Sequence, residues 1–178
     1  AAAPFWTSFL IRVYAWIALL KDEGLINNAL MALGAISAPL QMYATTGAVV
    51  VGIVYSYLPF MLLPIYAALE RQDASLREAA ADLGASPAQV FLRVTWPLSR
   101  DAVMAGSLLV FIPAVGEFVI PDLLGGSETL MIGRTLWNDF FSNHDWPAAS
   151  AAAIALVALL MAPLLLWERA RLKEERAR

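Results

Sequence analysis

Cysteine is absent from the 178 residues of this sequence. That excludes a disulfide framework, a thiolate metal site and a cysteine nucleophile, and it leaves the redox compartment unread. Histidine occurs once, at His144, with no histidine or cysteine neighbour to share a metal, so an exposed loop position is expected there and no metal site. Ser8, Ser107 and Ser150 have no suitably spaced histidine base, so none makes a convincing nucleophile. Charge is scarce as well, at 15% of residues with a formal net charge of -3. The broad basic footprint of a nucleic-acid binder is missing, which sets nucleic acid aside as a partner. A Walker A phosphate loop is also missing, because Gly125-Gly126 lacks the strand, the lysine and the following helix that such a loop needs. The chain opens Ala-Ala-Ala-Pro, without an initiator methionine or a basic-then-apolar targeting segment, and reads as a piece of something longer.

What is abundant is apolar surface. Hydrophobic residues make up 60% of the chain and its mean hydropathy is positive, too apolar for a soluble domain of this length. Residues 48–69 carry no charge and, at about 1.5 Å per residue, are long enough to cross a hydrocarbon core of roughly 30 Å. Residues 148–167 form a second uncharged run, closed by Trp167 at interface depth. Between them, residues 102–120 are apolar except for Glu117 and hold Pro113 and Gly116, with Pro121 just beyond, the pattern of a broken or kinked span. Pro59 and Pro64 are expected to kink the first span. Nine of the twelve basic residues fall in two segments, Arg71, Arg77, Arg93 and Arg100 in residues 70–101 and Arg169, Arg171, Lys173, Arg176 and Arg178 in the tail 168–178. The positive-inside rule places both segments in the cytoplasm and residues 121–147 outside. Gly125-Gly126 then suits a turn where the chain re-enters the outer face.

Residues 1–47 are expected on the outer face: a surface helix over residues 4–20, a turn at Lys21-Asp22-Glu23-Gly24, and a short amphipathic helix with Leu25, Leu30 and Leu33 on its apolar side, ending at Gly34. No repeat, low-complexity tract or linker marks a second domain, so residues 1–178 read as one.

The loop at 70–101 is better punctuated than a solvated turn needs to be. Asp73 can cap a first helix with Leu76, Ala79, Ala80 and Leu83 as an apolar stripe, and Gly84 suits its stop. Ser86 and Pro87 start a second, with Val90, Phe91 and Val94 on its apolar face and Pro97 expected to end it. Such a helix-glycine-helix elbow either docks in a groove on a partner, with Glu78 paired to a polar group, or caps its own bundle.

The run Glu78-Ala79-Ala80-x-x-x-Gly84, followed by Val94-x-Trp96-Pro97, resembles the EAA loop of bacterial ABC-importer permeases in spacing throughout; Val94 stands for isoleucine and Trp96 for leucine. Segments 4–12, 111–126 and 145–151, with Gly116-Glu117-Phe118 and Asp145-Trp146-Pro147 among them, are similar to the polyamine-importer permeases, most closely the putrescine branch. The resemblance implies an all-α polytopic membrane bundle of the type I importer permease kind, three spans plus an outer-surface helical segment, in a bacterial inner membrane. It implies that Glu78, Ala79, Ala80, Gly84 and Pro97 couple to a separate ATP-binding subunit. A second permease subunit, a periplasmic or lipid-anchored substrate-binding protein, membrane lipid and a small cationic substrate would complete the partner set. ATP would be bound by the partner, this chain holding no cofactor.

A carboxylate inside a membrane is costly, which makes Glu117 a candidate for the substrate path together with Asp122. Tyr55, Tyr57 and Trp137 could add aromatic faces for an ammonium group. Each has a plainer reading. Glu117 could cap a broken helix or pair with Arg134, the tyrosines could be belt or packing residues, and Trp137 and Trp146 interfacial anchors. Residues 121–147 carry Asp122, Glu128, Asp139 and Asp145 against Arg134, a net of -3 (one minus four) that attracts cations but also follows from exclusion of arginine and lysine from outer loops. A permease for sulfate, molybdate or ferric iron, an intramembrane enzyme and an anchoring scaffold are the competing functions; an anion would disfavour Glu117, and an enzyme would need a nucleophile-base pair or metal cluster.

Overall fold

The computed structural model describes the backbone of residues 9–176 and the side chains of residues 9–169. Pro4–Ser8 of the expected outer helix and Arg178 of the tail lie outside the described residues, as do the side chains of Arg171, Lys173 and Arg176. The described chain is helical throughout: α1 (Phe9–Leu20), α2 (Leu25–Ala32), α3 (Thr46–Glu70), α4 (Ala74–Asp82), α5 (Pro87–Val90), α6 (Trp96–Val115), α7 (Val119–Leu124), α8 (Ile132–Trp137) and α9 (Trp146–Arg176), with π turns at Phe91–Thr95 and Asn138–Ser142. Three helices are long and apolar enough to cross a membrane: Thr46–Glu70, Pro87–Val115 and Trp146–Arg169. The described residues fall into two compact units, one comprising residues 9 and 54–111, the other residues 10–53 and 112–176.

The first unit is built on α3 and α6. Gly106 of α6 lies against Met61 of α3, where a Cβ would stand 3.0 Å from the Met61 Sδ and 3.2 Å from its carbonyl oxygen. Within lipid there is little hydrophobic gain from bringing helices together, so a small residue that lets the backbones approach is what makes the contact. Pro59 and Pro64 sit inside α3 without ending it. The second span departs from its expected limits. Its helix begins at Pro87, inside the elbow, and stops at Val115, with a break at residues 116–118 before α7. Pro97 does not terminate it. The turn at Phe91–Thr95 is π-helical, with the Trp96 N–H donating to the carbonyl of Phe91 five residues back. This wider turn carries the Pro97 ring past the carbonyl four residues before it, the clash that would otherwise stop a helix.

The second unit holds the buried aliphatic core: Val13 and Leu20 of α1, Val49 of α3, Ile120 and Leu124 of α7, and Leu156 of α9. Gly52 permits the packing of α3 on α7, since a Cβ there would meet Leu124 and Ile120 at 2.7 and 2.9 Å. The short helix α2 ends at Gly34 (φ +70) in a Schellman motif, with Ala35 N–H to Leu30 O and Gly34 N–H to Met31 O, both 3.0 Å. Leu30 of its expected apolar side is half-buried. Leu25 and Leu33 are exposed, and the buried residue is Asn27, whose side chain donates to the Leu40 carbonyl at 2.9 Å and accepts from the Leu40 N–H at 2.8 Å. A pair of hydrogen bonds to the segment after Gly34 outweighs the hydrophobic period in a helix of this length. In α9, Asp145 caps the start by accepting from Ala148 N–H at 3.2 Å, and the helix continues beyond residue 167 into the tail.

Candidate functional site

In the elbow every cap is local. Asp73 Oδ1 accepts from the Ser75 N–H at 2.9 Å, and these hydrogen bonds, to the Ser75 backbone and then to its side chain, hold the Asp73 carboxyl below its ordinary value. Gly84 closes α4 at φ +84 in a second Schellman motif, Ala85 N–H reaching Ala80 O at 3.1 Å and Gly84 N–H reaching Ala81 O at 2.8 Å. Ser86 and Gln89 form a capping box, each side chain accepting from the other's N–H, with Pro87 at the first helical position. No residue of α4 is buried. Glu78 and Ala79 are exposed, Ala80 is half-buried, Leu76 is 48% exposed and Leu83 90%. The apolar stripe is therefore presented outward, which argues against the reading in which the elbow caps its own bundle.

Glu117, Asp122 and Trp137 gather in the second unit around the break after α6. Glu117 is buried and caps α7: its Oε1 accepts from the N–H groups of Val119 at 2.9 Å and Ile120 at 3.2 Å. A negative group on these orphan amides is favoured by their dipoles. Asp122 on α7 is the accessible carboxylate, its side chain 61% exposed and 3.4 Å from Arg134 Nε. Arg134 also donates to the carbonyls of Gly126 at 3.2 Å and Pro121 at 3.5 Å, so α8 is tied to the end of α7. Phe118 stacks on Trp137 at 4.2 Å and 7° between planes, and Trp137 meets Phe141 at 4.2 Å. These rings line an open apolar cleft of about 270 Å³ with Gly116, Gly133 and Leu156. Gly133 fits because a Cβ would stand 2.5 and 2.6 Å from the carbonyl oxygens of Glu117 and Gly116. Gly126 opens a turn through Ser127 and Glu128, closed by Thr129 N–H donating to the Gly126 carbonyl at 3.1 Å and by Thr129 Oγ1 accepting from Gly126 N–H at 3.2 Å.

Tyr55 and Tyr57 belong to the other unit, on α3, with Tyr57 tilted against Phe60 at 6.1 Å. His144 is exposed in the loop before α9 at φ +56. Two polar residues went unnoticed in the sequence. Gln72, after α3, donates to Ser99 Oγ on α6 at 2.8 Å, and Ser99 is buried. Their one signal was position: uncharged polar side chains standing beside the charged residues that close each span.

Three membrane-length helices, the first two joined by such an outward-facing elbow, define a multi-span helical membrane chain. The chain belongs to the family described as the binding-protein-dependent transport system inner membrane component, which matches residues 3–170. It is 43% identical over 167 residues to the spermidine/putrescine transport system permease protein PotB of Haemophilus influenzae, covering 94% of this chain and 58% of that protein. To PotB of Escherichia coli strain K12 it is 42% identical over 167 residues, covering 94% and 61%. The inner membrane ABC transporter permease protein YdcU of the same strain is 35% identical over 173 residues, covering 89% and 55%. The chain thus spans about three fifths of the length of these relatives.

Proposed function

We propose that this chain forms part of the translocation path of an ATP-driven importer of small polyamines, with putrescine and spermidine as the candidate substrates. In this reading the elbow docks on a separate ATP-binding subunit, a second permease subunit completes the path, and a substrate-binding protein delivers cargo to residues 121–147 on the outer face. The arginines of residues 70–101 and the basic tail support a cytoplasmic side for both segments. The observation that carries the proposal is the elbow, a capped helix pair with its apolar residues turned outward at the spacing of the EAA loop, in a chain 43% identical to a spermidine/putrescine permease. Glu78, Ala79, Ala80 and Gly84 would make the docking contact. Pro97 would act indirectly, from within the span.

For the substrate, Asp122 is the better placed carboxylate. It is exposed and already holds a cation, the Arg134 guanidinium, whereas Glu117 has its Oε1 engaged by two backbone amides. Trp137 and Phe118 add aromatic faces, and Tyr55 and Tyr57 are further candidates along α3. The test is competition for radiolabelled putrescine uptake by the complete transporter in vesicles. Putrescine and spermidine are expected to compete and sulfate is not; competition by sulfate alone would overturn the substrate class. Glu78→Lys in the same transporter is expected to lose the ATP-binding subunit on purification, and retention with normal uptake would overturn the docking role.

A further inference from the structure

No residue of α4 is buried and its packing is on α5 and the π turn at Phe91–Thr95, so its position relative to α3 and α6 depends on how its two ends are held. The C-terminal end turns at Gly84 into α5, and from Pro87 the helix runs without interruption to Val115. The N-terminal end is preceded by Gln72, whose Nε2 donates to Ser99 Oγ at 2.8 Å and reaches the Thr95 carbonyl at 3.4 Å. Ser99 Oγ donates in turn to the Thr95 carbonyl at 2.8 Å. Both ends of α4 are therefore anchored on one helix, the second of them within a single turn of it. Ser99 is buried and Gln72 and Thr95 are half-buried, so opening this network would leave polar groups without partners away from water.

We propose that Gln72 is a positioning residue: with Ser99 and Thr95 it clamps the elbow to the second span, so that a displacement of α4 by a partner moves the span and is not absorbed by the linker at residues 71–73. The proposal rests on the elbow being the contact for the ATP-binding subunit. Without the clamp, α4 would keep only its packing on α5 and the π turn, the Gly84 turn and the linker to α3, and its docking surface would still be intact. Attachment and transmission should then separate, because the residues that dock, such as Glu78, are not those that clamp.

These 178 residues hold no cysteine, so spin labels placed at Asp82→Cys and Leu109→Cys report one distance within this unit once any cysteines elsewhere in the transporter are replaced. In the complete transporter that distance is expected to be narrow and the same with and without ATP. With Gln72→Leu, or with Ser99→Ala as the milder variant, the ATP-binding subunit should still co-purify and hydrolyse ATP, while the distance broadens and polyamine carried per ATP falls about ten-fold, the scale of one lost buried hydrogen bond. An unchanged distance or unchanged uptake per ATP in both variants would overturn the clamp. Loss of the ATP-binding subunit in both would overturn it too, since the network would then hold the docking surface itself. If Glu78→Lys keeps its ATP-binding subunit, the docking reading fails by itself, and the label distance still decides whether the clamp exists.

Discussion

Residues 73–95 and residues 116–137 both stop a helix and start another, and they do it with different means. In the first region the partners lie within a few residues of one another: Asp73 with Ser75, Gly84 with Ala81, Ser86 with Gln89. In the second, α7 is capped by the buried Glu117 at one end, while at the other Arg134 comes from 8 and 13 residues further along the chain to reach the carbonyls of Gly126 and Pro121. Local capping leaves a region's faces free for something else, as the exposure of Leu76 and Leu83 shows. Capping by a buried side chain and by one from further along the chain uses up the faces and makes the region part of the core. A surface that must meet another protein can be built the first way; a packed break within a bundle needs the second.

The sharpest test of that contrast is one substitution made twice. Gly133→Val places carbon against two carbonyl oxygens in packed surroundings, and the expected loss is about 3 kcal/mol or more, read as a collapse in yield and melting temperature in detergent. Gly84→Val meets nothing within 4 Å but forces a branched side chain to φ +84, so about 1–2 kcal/mol is lost in the elbow alone. Its melting temperature should hardly move while polyamine uptake fails. Equal melting temperatures for the two variants would erase the distinction.

Glu117→Ala should cost about 1–3 kcal/mol by orphaning the amides of Val119 and Ile120, and Glu117→Gln, which keeps an acceptor, should cost less. Diamine uptake by the stable Gln variant then isolates the charge, and unchanged kinetics would remove Glu117 from the path. For the elbow, Ser86→Ala should cost about 1 kcal/mol and speed hydrogen exchange at the Gln89 amide by roughly five-fold, with no change at Ile120. The smallest effect is one of pH. Because the folded state lowers the Asp73 pKa, the cap's contribution is complete above the ordinary carboxylate value and disappears as pH falls through the lowered one. The Ser75 amide resonance should follow that titration and lose it in Asp73→Asn.

The same division explains what could be read in advance. The first and last spans followed from uncharged length, and the elbow's Asp73, Gly84, Ser86 and Pro87 followed from short-range capping rules. Asn27 was missed because its partner, Leu40, is 13 residues away and leaves no periodic trace. Pro97 was taken for a stop because sequence patterns do not announce a π turn. The break at residues 116–118 was visible in Gly116 and Pro121, but the partner of Arg134 was not. Glu117 was the alternative weighed for it, and Asp122 is the carboxylate that stands 3.4 Å away.

The π turn at Phe91–Thr95 has an effect on azimuth. One surplus residue in that turn offsets the helix before it from the helix after it by about 100° around their common axis, since each residue of an α-helix accounts for that angle. Deleting a single residue there would leave every contact between α3 and α6 in register, yet swing Ser86, Gly84 and all of α4 to a different compass bearing. The direction in which this protein offers its elbow is thus written in the phase of one helix.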